Sequence, residues 1–187
     1  MRVVVYDRTD RLTAAWAPGS LLYRALRRVD AAKGVASWDE AIAWLASRDE
    51  PIDEVQYWGH GRWGRVLVDG EPLDTTQLHR LAAVKQVLAP GALVWLRTCE
   101  AFGGTIGIDF AERLADALGA RVAGHTYVIG FHQSGLHALH PGMRADWSPD
   151  EGIVPGQGSA KWSGRKEPNT ITCLHNSIPS AWFADGN

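Results

Sequence analysis

The sequence predicts an α/β fold, a three-layer α/β/α sandwich built around a mainly parallel sheet. Short apolar runs rich in β-branched residues alternate, along the first 123 residues, with segments whose apolar residues recur at helical spacing. This alternation is typical of βα units. The run at residues 93–96 is apolar without alternation, as expected of a strand covered on both faces.

The strands of the sheet are predicted from five short, β-rich apolar runs. The predicted limits are residues 2–6, 34–36, 55–58, 93–96 and 121–123. A small hairpin is predicted after the third of these strands, because the turn-forming pair Asp69-Gly70 separates two short apolar runs.

The first helix is predicted over residues 18–32. Pro18 suits a first helical turn, and Leu22, Leu26 and Val29 lie at helical spacing. We therefore expect these three apolar side chains to face the core.

Three further helices follow from their end signals. Ser37 and Glu40 fit a capping box that begins the second helix. A third helix is predicted over residues 74–88 and should end at Pro90, and a fourth, over residues 108–118, should end at Gly119.

Beyond residue 125 the alternation stops, and Gly, Pro, Ser, His and Trp become frequent. We expect a single domain over residues 1–187, with an α/β core over 1–130. Residues 131–187 should form an irregular C-terminal region near the functional edge of the sheet. Tryptophan is costly to leave in water, so Trp162 or Trp182 should pack against the core.

Composition limits the environment and the partners of the chain. The formal net charge is −2 and the pI is near 6.4, which gives no reason to expect nucleic acid or a membrane surface as a partner. The apolar start is too short for a signal peptide, and no run of about 18 apolar residues occurs. Two cysteines in unlike contexts do not form a disulfide framework, so a reducing, cytoplasmic setting is expected.

Two of the predicted strands end on reactive side chains. Residues 55–58 lead through Gly59 into His60, and residues 93–96 lead into Cys99. If these strands are parallel neighbours, both side chains leave the sheet at its carboxyl edge, where open α/β sheets place their sites. The sequence therefore predicts a Cys–His nucleophilic centre.

Chemistry supports this pairing. A thiol attacks well only as the thiolate, so it needs a base or a cation beside it. Imidazole titrates in the range that can take this proton and later return it to a leaving group. The backbone amides of Gly61 and of the residues next to Cys99 could then stabilise an oxyanion.

The two motifs Tyr57-Trp58-Gly59-His60-Gly61 and Leu96-Arg97-Thr98-Cys99-Glu100 resemble those of the caspase-like (clan CD) cysteine peptidases, and especially the bacterial CHAT domains. Residues 107–123 resemble the bacterial DUF4347-type branch of this superfamily. The resemblance implies a caspase-like cysteine endopeptidase with a His60–Cys99 dyad and with Gly61 in the oxyanion hole. It also implies a protein or peptide substrate and no metal or cofactor. Whether an activating partner protein is needed stays open.

Three further residues are candidates for substrate binding. Trp63 lies between Arg62 and Gly64 and is a candidate pocket wall. Arg97 could bind a substrate carboxylate, although an outward salt bridge is the favoured alternative. His125 follows the fifth predicted strand and is the third candidate.

Other residues leave alternatives open. The histidines after residue 124 could bind zinc, and they are His125, His132, His137 and His140. Asp53 or Glu54 could orient His60, and Cys173 is expected to be a buried filler.

Three functions therefore compete. The first is the cysteine endopeptidase, the second is a catalytically silent binding or scaffold module of the same fold, and the third is a metal-binding hydrolase.

Overall fold

A six-stranded sheet lies at the centre of the molecule and confirms the predicted α/β class. The computed structural model describes residues 1–179 and residue 182. Neighbouring strands of the sheet are parallel, except that one edge strand is antiparallel to its neighbour. From edge to edge the strands are β10 (Leu136–Leu139), β8 (Arg121–His125), β7 (Leu88–Arg97), β3 (Ile52–Trp58), β1 (Arg2–Asp7) and β2 (Ala31–Val35).

Helices cover both faces of this sheet, so the predicted three-layer arrangement is confirmed. Successive residues of a strand point to opposite faces, and β1 shows both environments. Val3 and Val5 belong to the larger core, whereas Val4 packs with Tyr23 on the other face. The helices of the described part are α1 (Thr13–Ala25), α2 (Trp38–Ala46), α3 (Ala82–Lys85) and α4 (Gly104–Leu118).

A small antiparallel sheet follows β3 directly and contains the predicted hairpin. Its strands are β4 (His60–Arg62), β5 (Arg65–Val68) and β6 (Glu71–Asp74). Asp69 and Gly70 connect the last two strands with φ values of 50° and 75°. Positive φ at both positions is the geometry that this dipeptide favours in a type I′ turn.

Two of the predicted helix ends are confirmed by their geometry. The Oγ atom of Ser37 accepts a hydrogen bond from the backbone N–H of Glu40 at the start of α2. The Glu40 carboxylate accepts in return from the N–H of Ala36, one residue earlier than a capping box requires. Gly119 ends α4 in the left-handed conformation, with φ of 61°.

The prediction for the first helix was wrong in its limits and in its buried face. Helix α1 begins five residues before Pro18, and Arg27 follows its C-terminal end in a left-handed conformation with φ of 54°. Tyr23 faces the sheet, whereas Leu22 and Leu26 are exposed. The predicted apolar stripe of Leu22, Leu26 and Val29 does not form on one helix, because α1 ends before Val29. Val29 is buried, but it packs from the loop that follows the helix.

The prediction of a helix over residues 74–88 was also wrong. Only a 3-10 turn over Leu78–Leu81 and the four-residue helix α3 form there. Pro90 and Gly91, predicted to end a helix, lie instead within β7. The register between β3 and β7 shifts at this point, and such an irregularity tolerates a residue without an N–H donor.

The C-terminal region begins later than predicted, because β10 extends the sheet to residue 139. Within the predicted C-terminal region, two short strands pair as a ribbon. They are β9 (His132–Gln133) and β11 (Ile171–Thr172). Trp182 packs against the cluster around Trp95, as predicted, whereas Trp162 is 74% exposed. Residues 180, 181 and 183–187 of the predicted region lie outside the described residues.

Candidate active site

His60 and Cys99 stand at equivalent positions beyond two paired strands. Strands β3 and β7 are parallel neighbours, and their last pair is Trp58 with Arg97. His60 lies two residues beyond Trp58, and Cys99 lies two residues beyond Arg97. The prediction that both residues follow adjacent parallel strands at one edge of the sheet is therefore confirmed.

Gly61 brings the backbone after His60 into contact with the backbone of Cys99. A Cβ atom built on Gly61 would lie 2.5 Å from the carbonyl oxygen of Cys99 and 2.5 Å from Thr98 Oγ1. Contacts this short exclude any side chain, so glycine is required for the two segments to meet.

The amide of Gly61 is free of the ladder between β4 and β5. Arg62 and Arg65 pair across a two-residue turn, and residues that flank such a turn exchange both backbone hydrogen bonds. By alternation, Gly61 and Val66 form a non-hydrogen-bonded pair. The N–H of Gly61 therefore points away from β5, toward the outer side of the edge strand β4.

The imidazole of His60 is held by two residues near the start of α1, Asp10 and Trp16, and neither was predicted from the sequence. Asp10 Oδ1 lies 3.3 Å from His60 Nε2, and it also accepts a hydrogen bond from the N–H of Leu12. This backbone hydrogen bond, aided by His60, lowers the pKa of Asp10. The ring of Trp16 meets that of His60 edge-on, with 5.7 Å between centroids.

Asp53 and Glu54, predicted as alternatives for orienting His60, do not reach it. Asp53 pairs with the amino group of Met1, and Glu54 accepts a hydrogen bond from Gln56. Both carboxylates stand near the beginning of β3, whereas His60 follows its end. The prediction was wrong because strand polarity separates these groups by the length of the strand.

Cys99 is half-buried, and its thiol is not ionised by its surroundings. The thiol donates to the carbonyl oxygen of Ile129, 3.8 Å from Sγ. Burial raises the pKa of the Cys99 thiol, and the charge of Glu100 adds to this rise. His60 and Cys99 form no hydrogen bond with each other, so any proton transfer between them requires the side chains to approach, as is common in the absence of a substrate.

The loop after Cys99 forms backbone hydrogen bonds with the end of β8 and with the segment that follows it. The N–H of Glu100 donates to the carbonyl of Tyr127, and the N–H of Phe102 donates to that of His125. The indole N–H of Trp147 donates to the carbonyl of Phe102, and the two rings stack with 5.9 Å between centroids. The C-terminal region therefore packs on the loop that follows Cys99, through Trp147.

Trp63 lies against this loop, which fits its predicted place beside the dyad. A Cβ atom on Gly103 would approach the indole ring to 3.0 Å. The ring is half-buried, and its Nε1 atom has no hydrogen-bond partner among the described residues. Phe131 and Trp162 expose their rings on the segments that flank Ile129. Exposed aromatic rings therefore lie on the segments next to the carbonyl that Cys99 contacts.

Arg97 is a structural residue, which corrects both of its predicted roles. Its side chain is 6% exposed and makes no ion pair with any described residue. The guanidinium donates to the side chains of Gln133, Gln56 and Tyr23 and to two carbonyls of the C-terminal segment, those of Cys173 and His175. With its donors used inside the protein, it is not available to a substrate carboxylate.

His125 is fully buried and cannot contact a substrate, so this prediction was wrong as well. Its Nδ1 atom lies 3.1 Å from the carbonyl of Ser134, and its Nε2 atom has no partner among the described residues. Burial lowers the pKa of His125 to about 3, so the ring is neutral. His125 is the last residue of β8 and lies beneath the C-terminal region. The sequence did not predict that this region covers that face of the sheet.

The other histidines do not converge on a metal site. His137 pairs with Glu151 at 2.7 Å and stacks on Trp147, and His132 contacts the ring of Phe131. Within the described part of the chain, no group of three His, Cys, Asp or Glu side chains could hold a metal ion. Cys173, predicted as a buried filler, is half-buried.

These features define an α/β domain with a cysteine and a histidine at the carboxyl edge of two paired parallel strands. The family model "Domain of unknown function (DUF4347)" matches residues 11–138, and the chain therefore belongs to the DUF4347 family. The matched region includes His60 and Cys99 and ends within β10. No curated protein and no solved structure matches the chain.

In the part of the chain that is described, no helix is long and apolar enough to cross a membrane.

Proposed function

We propose that this DUF4347 chain is a cysteine endopeptidase of the caspase-like type, with Cys99 as nucleophile and His60 as general base and acid. The observation that carries the proposal is the register of β3 and β7, which places both residues two positions beyond one strand pair. Two reactive side chains at one sheet edge are the arrangement that nucleophilic catalysis needs.

The proposed reaction uses the ring nitrogen of His60 that does not face Asp10. Because His60 Nε2 faces Asp10, its Nδ1 atom is the one available to the thiol. Cys99 Sγ attacks the peptide carbonyl carbon, and its proton passes through His60 to the departing amine. The resulting thioester is hydrolysed by water, which restores the thiol.

The oxyanion of this reaction needs donors that are not used elsewhere. The N–H of Gly61 points out of the hairpin ladder, and its Cα lies against the Cys99 backbone. We assign this amide to the oxyanion hole, where a single donor is typically worth ~10²–10³-fold in kcat.

A peptide is the substrate class that the surroundings of Cys99 favour. Phe131 and Trp162 are 60% and 74% exposed, and both belong to segments beside Ile129. Exposed aromatic rings next to a reactive centre are suited to binding apolar side chains of an extended chain. We also propose a reducing, cytoplasmic setting, in which the two free cysteines stay reduced.

The second candidate is a catalytically silent binding module. It is favoured by the raised pKa of Cys99 and by the missing hydrogen bond to His60. A thiol that stays protonated is a poor nucleophile, so under the peptidase proposal substrate binding must bring the two side chains together.

The test uses the two cysteines as a matched pair. Cys99→Ala should abolish cleavage of a fluorogenic peptide library, His60→Ala should lower it by ~10²–10⁴-fold, and Cys173→Ala should leave it nearly unchanged. Labelling by a thiol-reactive peptide probe should require Cys99 and survive in the Cys173 variant. Cleavage that persists without Cys99 would reject the proposal, and intact peptides with an unlabelled Cys99 would favour the silent module.

A further inference from the structure

We propose that the outward face of helix α1 is a docking surface for a helix of a partner protein, one that carries acidic side chains beside its own apolar stripe. The inference goes beyond the proposed peptidase function and does not depend on it. Trp16, on the inner side of α1, contacts the ring of His60. The partner would therefore bind to the helix that holds the candidate base.

The outward face of α1 is apolar, which reverses the usual arrangement. A helix that packs on a sheet normally turns polar residues to solvent, and beyond its first turn α4 exposes only Asp109, Arg113 and Asp116. Six of the seven exposed residues of α1 are apolar, and these are Ala14, Ala15, Pro18, Leu21, Leu22 and Ala25. Leu21 and Leu22 are 63% and 48% exposed. A contiguous apolar surface of this kind indicates an interaction site.

The spacing of the exposed residues favours a helix as the occupant. Ala14, Pro18, Leu21 and Ala25 follow one another at intervals of four, three and four residues, which is the spacing of the contact stripe between two packed helices. The side chains on either side of Leu21 are short, so larger side chains of a facing helix can fit between them. The stripe is about 17 Å long at the rise of an α-helix, enough for about three turns of the partner.

A groove beside Leu21 can accept a side chain of such a helix. Its volume is about 500 Å³, and it is lined by Leu21, Arg24, Ala25, Arg27, Val29 and Asp30. A lipid surface has no side chain to fill this groove. Helices that lie on membranes also direct aromatic residues toward the lipid, whereas Trp16 and Tyr23 of α1 face the domain. These features favour a protein partner over a membrane.

The charges beside the groove select an acidic partner. Arg24, Arg27 and Arg28 lie at and just beyond the C-terminal end of α1, and none of them forms an ion pair with a described residue. Arg28 contacts only uncharged groups. Asp30 already accepts a hydrogen bond from the backbone N–H of Arg2. Carboxylates of a partner helix would complement these arginines, whereas a second copy of this chain would bring like charges together.

A display library of three-heptad helical peptides tests this surface. Heptad positions a and d vary among apolar residues, and positions e and g vary among Glu, Gln and Lys. Selection on the unaltered protein should enrich glutamate at e and g. The selected peptides should bind Leu21→Ser about 10-fold more weakly or worse, as expected for the loss of an anchor residue. Ile106→Ser is the matched control, because Ile106 of α4 is 64% exposed, and it should bind like the unaltered protein.

Reversing the charge at the groove separates recognition from a loss of folding. A double variant with Arg24→Glu and Arg27→Glu should select lysine at e and g in place of glutamate, which a misfolded protein could not do. Arg113→Glu makes the same reversal at an exposed position of α4 and should still select glutamate. Peptide binding to the unaltered protein should also weaken as salt is raised, because exposed charges are screened.

The other occupants of this face are outcomes of two further measurements. Self-association in sedimentation that is lost in Leu21→Ser would assign the face to a second copy of the chain. Retention on phosphatidylserine vesicles that is lost in the same variant would assign it to a membrane. Either result overturns the inference, as does a library that enriches no peptide, enriches lysine, or yields peptides that bind Leu21→Ser equally well. None of these readouts uses peptide cleavage, so they leave the peptidase proposal untouched.

Discussion

Asp10 Oδ1 lies 3.3 Å from His60 Nε2, so a carboxylate at the end of the β1–α1 loop fixes the ring that follows β3. The contact crosses fifty residues of sequence. It leaves Nδ1 as the atom that can face Cys99, and a carboxylate on the far nitrogen also stabilises the imidazolium that forms when the thiol gives up its proton.

Replacing Asp10 by Asn should therefore lower kcat while leaving KM nearly unchanged. The expected loss is smaller than the ~10²–10⁴-fold for removing the base itself, because Trp16 still contacts the ring. Steady-state kinetics on a peptide substrate measures both constants. Asp53→Asn is the matched control, since Asp53 pairs with the Met1 amine. Equal effects of the two substitutions on kcat would contradict a positioning role for Asp10.

Gly61 provides a second prediction, because its contact with Cys99 leaves no room for a methyl group. Gly61→Ala should push the Cys99 carbonyl away and abolish turnover, at a cost of about 1–3 kcal/mol in unfolding free energy. Gly130→Ala is the control, since a Cβ there meets nothing within 4 Å. Urea denaturation and peptide cleavage give the two readouts. Full activity in Gly61→Ala would show that the backbone contact is not needed.

The sequence predicted the two ends of the dyad because the signals are local. An apolar run followed by His60-Gly61, and another followed by Cys99, mark strand ends, and parallel pairing then places them at one edge. The role of Asp10 could not be predicted in this way, because it depends on how the loop before α1 folds over β3.

Arg97 and His125 were misassigned for a related reason. Each lies on the sheet face that residues 133–175 cover, and the sequence of that region has no periodicity to reveal where it packs. A polar residue at the end of a strand suggests a binding role when nothing is expected to lie above it. Here Gln133 and the Cys173 carbonyl lie above Arg97 and bind it.

The buried ring of His125 predicts a loss of stability at acid pH. Its pKa in the folded protein, about 3, lies below the ordinary value of 6.5, so the unfolded chain binds a proton that the folded one excludes. The stability that depends on neutral His125 is complete above pH 6.5 and falls by about 1.4 kcal/mol per pH unit as the pH drops from there toward 3.

Urea denaturation between pH 7 and pH 4 measures this dependence. In His125→Asn the slope between pH 6.5 and pH 4 should decrease, because the titrating group is gone, whatever the substitution costs at pH 7. His79→Asn, at an exposed position, should keep the original slope. An unchanged slope in His125→Asn would assign the acid sensitivity to other groups.

Arg97 provides the last prediction, which concerns the attachment of the C-terminal region. Its guanidinium donates to the Tyr23 hydroxyl at 2.8 Å and to the Cys173 carbonyl at 2.9 Å, and a lysine ammonium cannot span these directions from one point. Arg97→Lys should lower the unfolding free energy by about 2–3 kcal/mol and speed proteolysis within residues 133–175. Arg113→Lys is the control, because Arg113 forms an exposed pair with Asp109 and its replacement should leave the unfolding free energy nearly unchanged. Limited proteolysis followed by mass spectrometry locates the cuts. If Arg97→Lys is destabilised but is first cut before residue 133, the arginine supports the sheet rather than the attached segment.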